Sequence, residues 1–187
     1  MCYWYYSIPN ELYYSGCPKY CFNHSHIETK IPLDDIRKIT FKGLWTELGI
    51  IIRFIPNTSI NLIELDCKNC SILKEIPNTF TNLTRLDCHN CINLEYIPKE
   101  LIRLTKLVCN RCLLLTEIPN TLINLTELNF NNCPFISNIP DTLHRLDWVN
   151  CGINTPYIHF TYLEKVKYQK PTHINISNRD AETIIDF

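Results

Sequence analysis

The sequence predicts a solenoid of stacked parallel strands with little helix. Three observations predict it. Ile-Pro recurs at Ile55-Pro56, Ile76-Pro77, Ile97-Pro98, Ile118-Pro119 and Ile139-Pro140, each pair 21 residues after the last. Leucines keep that register at Leu62, Leu83, Leu104, Leu125 and Leu146, and at Leu65, Leu86, Leu107 and Leu128, where Val149 follows. Between them runs L-x-x-L-x-C-x-x-C-x-x-L, in which Leu65-Asp66-Cys67 alternates apolar, polar, apolar, the period of a strand.

Each element of the unit follows from its residues. The strand is the alternating stretch. Proline cannot donate to a ladder, so the Ile-Pro lies outside it. Twenty-one residues cannot hold a strand, two turns and a long helix, so the return leg is expected to be extended or a short 3₁₀ turn. One unit cannot enclose its own leucines. Stacking buries them between neighbours, with strands roughly 4.8 Å apart.

The repeat resembles the leucine-rich-repeat family, whose signature is L-x-x-L-x-L-x-x-N/C-x-L. The resemblance implies an α/β-type solenoid with a curved parallel sheet on the concave side and a mostly extended or 3₁₀ convex side. It covers residues 55–159 as five units of 21 residues. The Cys and Ile-Pro flavour is similar to repeat proteins of amoeba-infecting giant viruses and of some protists. Residues 31–54 fit a diverged repeat, through Ile36-x-x-Ile39-x-Phe41-x-x-Leu44. Residues 160–187 fit a diverged terminal repeat and a C-terminal cap or tail, through Leu163-x-x-Val166-x-Tyr168. Terminal repeats diverge because they cap the ends of the core. Residues 1–30 are expected to be an N-terminal cap or diverged segment.

Composition narrows the function classes. The chain has 187 residues, a formal net charge of −1 and no like-charge run, so nothing attracts nucleic acid or anionic lipid broadly. No apolar stretch approaches the ~20 residues of a membrane span. The opening Met1-Cys2-Tyr3-Trp4-Tyr5-Tyr6 is aromatic without a basic region, unlike a signal peptide. We therefore expect an intracellular protein, in the host cytoplasm if viral.

The cysteines pose a choice. Cys67-x-x-Cys70 and Cys88-x-x-Cys91 have the spacing of a zinc ribbon. The repeat argues for core instead. The first column reads Cys67, Cys88, Cys109, Phe130, Cys151, and phenylalanine cannot ligate metal. The second reads Cys70, Cys91, Cys112, Cys133, Asn154. The family resemblance implies that this column bonds the backbone of the neighbouring turn. A buried thiol is a small apolar group with a weak donor. We expect no cofactor and no metal in the repeats. A second Cys/His cluster, Cys17, Cys21, His24 and His26, has permissible zinc spacing but lacks a second ligand pair and reads as a polar loop.

Strand alternation sets the outward columns of the sheet. They are Glu64, Arg85, Lys106, Glu127, Trp148, then Asp66, Asp87, Val108, Asn129, Asn150, then Lys68, His89, Asn110, Asn131, Gly152. Inward columns are fixed while these vary. No catalytic constellation rises from the sequence. The resemblance therefore implies a non-catalytic protein-binding module whose concave face meets a protein partner. Trp148 is the natural anchor in the register without a gap. A ubiquitin-ligase substrate adaptor is the alternative, because Ile8-Pro9-Asn10-Glu11-Leu12 resembles an F-box opening. Gly16 and Pro18 interrupt the helix that an F-box needs next.

Overall fold

The computed structural model describes residues 36–42 and 61–152, together with the backbone of four further strands. Ten strands form one sheet in sequence order. They are β1 (Tyr3–Ile8), β2 (Glu11–Ser15), β3 (Lys38–Lys42), β4 (Glu64–Asp66), β5 (Arg85–Asp87), β6 (Lys106–Val108), β7 (Glu127–Asn129), β8 (Trp148–Gly152), β9 (His173–Ser177) and β10 (Glu182–Asp186). Pairing is parallel from β2 to β9. The end pairs β1–β2 and β9–β10 are antiparallel. No helix occurs among the described residues. The architecture is a solenoid of stacked parallel strands, the form that the resemblance to leucine-rich repeats implies.

The 21-residue period becomes the pairing register. Leu65 lies beside Leu86, Leu86 beside Leu107, Leu107 beside Leu128 and Leu128 beside Val149. The β3 strand joins in phase, with Ile39 beside Leu65. Its Ile39 and Phe41, and Ile36 just before it, are buried with the repeat leucines. The segment with Leu163, Val166 and Tyr168 lies outside the described residues, and the strand that pairs with β8 is His173–Ser177.

Each repeat sends seven side chains inward, as at Phe80, Leu83, Leu86, Cys88, Cys91, Leu94 and Ile97. The corresponding residues of neighbouring repeats merge into one core. Apolar burial of this kind contributes roughly 1.5–3 kcal/mol per large side chain. The return leg is two successive turns. In one repeat the Leu101 N–H donates to the Pro98 carbonyl at 3.3 Å, and the Leu104 N–H to the Leu101 carbonyl at 3.0 Å. These three-residue closures match the expected short 3₁₀ turns. Pro98 and Pro119 sit buried where no ladder donor is needed.

Candidate functional site: the open face of the sheet

Strand period places every predicted surface residue. In β4, Leu65 is buried between the partly exposed Glu64 and Asp66, and β6 and β7 repeat that pattern. Register aligns the columns: Glu64 beside Arg85, Arg85 beside Lys106, Lys106 beside Glu127 and Glu127 beside Trp148. Asp66, Asp87, Val108, Asn129 and Asn150 form the next column. Val149 is buried next to Leu128, so Trp148 faces outward in the register without a gap. It is partly exposed. Lys68, His89, Asn110 and Asn131 follow their strands in the same order, again outward.

The charges of this face are partnered within the chain. Glu64 sits between Lys38 at 3.6 Å and Arg85 at 3.4 Å. Lys106 pairs with Glu127. Lys68 pairs with Asp66 at 3.0 Å, and that hydrogen bond raises the lysine's pKa. Exposed pairs contribute little to stability, about 0–1 kcal/mol each. They do remove unpaired charge from the column. Asp87 is half-buried, and burial raises its pKa above the usual carboxylate value, with Asp66 adding repulsion and the His89 N–H opposing both at 3.1 Å. The remainder of the face is neutral. Val108, Asn110, Asn129, Asn131, Asn150 and Trp148 occupy its downstream part.

The two cysteine columns are core. Cys91 Sγ donates to the Cys67 carbonyl at 3.1 Å, Cys112 Sγ to the Cys88 carbonyl at 3.2 Å, and Cys133 Sγ to the Cys109 carbonyl at 3.0 Å. Each thiol thereby ties its repeat to the one before. Phe130 occupies the first column without exposure. The Cys91 thiol and burial raise the pKa of Cys67, and burial lifts Cys151 to about 11. Neighbouring Cys67 and Cys70 would favour a Cys91 thiolate. Its sulfur faces a carbonyl oxygen, however, which repels an anion and fixes the thiol form. Among the described residues no group of three or more His, Cys, Asp or Glu could hold a metal ion. The Cys17, Cys21, His24, His26 cluster and Asn154 lie outside the described residues.

Two ladders escaped the sequence reading. Thr105 Oγ1 donates to the Thr84 carbonyl at 3.0 Å, and Thr126 Oγ1 to the Thr105 carbonyl at 3.1 Å. The residue two after the first-column residue turns left-handed in four repeats: Asn69 at φ 62°, Asn90 at 60°, Arg111 at 57° and Asn132 at 58°. That turn aims the backbone N–H of Asn69 at the His89 carbonyl, 2.7 Å away, and prolongs the ladder past the strand. Asn90 Nδ2 also bonds Asn69 Oδ1 at 3.1 Å. The signal was present as a recurring Asn before the second cysteine.

Two segments of the chain, residues 61–83 and 124–146, match the family described as Leucine Rich Repeat. Both matches fall on repeats whose strands and core are described above, and they support a leucine-rich-repeat protein. No curated protein matches the sequence.

Proposed function

We propose that the chain is a non-catalytic module that holds a protein partner on its sheet face. Leucine-rich-repeat proteins generally bind proteins, and this is an argument from fold. One observation carries it to this chain. The inward positions repeat from unit to unit, while the first outward column differs at every step, from Glu64 through Arg85, Lys106 and Glu127 to Trp148. A repeated core beneath a varied outer face leaves the surface free to be shaped for recognition. The ion pairs along β4 to β7 balance that surface electrostatically, which suits a protein of mixed charge better than a polyanion. Trp148 supplies the aromatic anchor, a residue type enriched among binding hot spots.

Affinity capture with mass spectrometry tests the reading. Arg85→Glu, Lys106→Glu and Trp148→Ala should each reduce recovery of a specific partner without unfolding the chain. Full recovery by all three would remove the sheet face as the interface. The ligase-adaptor alternative is less favoured, since the F-box-like residues Glu11 and Leu12 belong to β2 rather than to a helix. An intracellular setting completes the proposal. The eight cysteines among the described residues are all free and buried, which suits a reducing compartment.

A further inference from the structure

The first outward column of the sheet breaks its alternation of charge at one step. From β3 to β8 it reads Lys38, Glu64, Arg85, Lys106, Glu127, Trp148, neighbour beside neighbour. Arg85 and Lys106 stand side by side in it, and like charges on neighbouring strands repel. Each leans on a carboxylate on its far side, Arg85 on Glu64 at 3.4 Å and Lys106 on Glu127. Glu64 is shared, since it also pairs with Lys38 at 3.6 Å. The column therefore sets three cations against two carboxylates, and the two adjacent cations lie on β5 and β6. The next column does not supply the missing charge there. Its residue on β6 is Val108, and on β5 the Asp87 carboxylate accepts from the His89 N–H at 3.1 Å. Both cations remain accessible, with side chains 61% exposed at Arg85 and 42% at Lys106.

We propose that Arg85 and Lys106 together receive a carboxylate of the protein partner, an Asp or Glu side chain laid across β5 and β6. The proposal rests on the sheet face being the binding surface and names the chemistry of one contact on it. Neighbouring strands lie roughly 4.8 Å apart, so one carboxylate reaches both side chains. One oxygen accepts from the guanidinium and the other from the ammonium. Arg85 meets Glu64 through Nη1, and a guanidinium carries five N–H donors in all. A single negative charge makes the column neutral and screens the two cations from each other. A phosphate ester would bring about −1.5 to −2 charges close to Glu64, Glu127 and Asp87, which repel the excess. The surroundings of the pair thus favour an acidic side chain over a phosphate.

The test measures fluorescence anisotropy of a fluorescein-labelled hexaglutamate peptide with the full chain at low ionic strength, where exposed charges are least screened. The wild type should bind hexaglutamate and not hexaglutamine. The double exchange Lys106→Glu, Glu127→Lys keeps the net charge but sets a carboxylate of the chain itself beside Arg85. It should weaken hexaglutamate about tenfold, the effect of two exposed ion pairs together, and melt no lower than the wild type. The same exchange at the flanking pair Lys74–Glu95, Lys74→Glu with Glu95→Lys, should leave binding unchanged. Circular dichroism melting verifies that each variant is folded. Hexaglutamate that does not bind the wild type overturns the proposal, as does equal binding to the Lys106–Glu127 exchange or equal loss in the Lys74–Glu95 one. Inorganic phosphate that displaces the peptide at constant ionic strength overturns the choice of a carboxylate. Should the carboxylate contact fail while Trp148→Ala still loses a captured partner, the sheet face stands as the interface without it.

Discussion

Arg111 is the one residue of its column that pays for its backbone conformation. Its φ of 57° lies in the left-handed region that Asn69, Asn90 and Asn132 also occupy. For a residue with an ordinary Cβ that conformation costs about 1–2 kcal/mol, while asparagine visits it readily. Arg111 is exposed, so loss of its guanidinium removes little packing. Arg111→Asn should therefore stabilise the fold by about 1 kcal/mol, or about 2–4 °C in Tm for a domain of this size. It also offers a new amide to Asn90, which already bonds Asn69. Arg111→Gly relieves the same backbone but frees the unfolded chain by roughly 0.5–1 kcal/mol, so its gain should be smaller. Arg111→Ala retains the Cβ and should gain nothing. Guanidinium unfolding followed by circular dichroism and tryptophan fluorescence measures all three. An asparagine variant no more stable than the alanine one would refute the reasoning.

Other predictions come from the core and the face. Phe130→Ala empties a fully buried site and should cost about 3–5 kcal/mol in chemical denaturation. Titration with a thiol reagent should leave the eight buried cysteines unreacted in the native state and reach them once guanidinium unfolds the chain. Asp87→Asn should raise stability at neutral pH. The folded carboxyl has its pKa raised above 3.8, so the wild type loses stability as pH rises through that value toward the folded one, and the loss is complete above it. The variant's advantage, on the order of a few tenths of a kcal/mol for a half-buried group that solvent still screens, should vanish near pH 3. Melting curves at the two pH values measure it.

Repetition decided how much could be read in advance. A column sampled five times averages out accident, and so Leu65, Leu86, Leu107 and Leu128 fixed the strand, its register and the inward thiols. The same averaging placed Trp148 outward through Val149. The end pairs β1–β2 and β9–β10 occur once each, and a single copy has no neighbour to betray its register. Pairing of Lys106 with Glu127 depends on rotamers of long side chains, which a column of letters does not specify. The left-handed turn was written as Asn in three of four repeats, and Arg111 hid the rule.

The thiol ladder has one more consequence. The repeats of Cys67, Cys88 and Cys109 each receive an S–H from the next repeat through that first-column carbonyl, and the latter two also donate one to the repeat before. Any such repeat therefore presents the same docking chemistry on both sides. A copying event that inserted or deleted one whole unit within this stretch would find matching partners above and below. The molecule can change length in single steps while its ends stay as they are. Each added step brings three fresh outward positions, so the size of the recognition surface is itself open to selection.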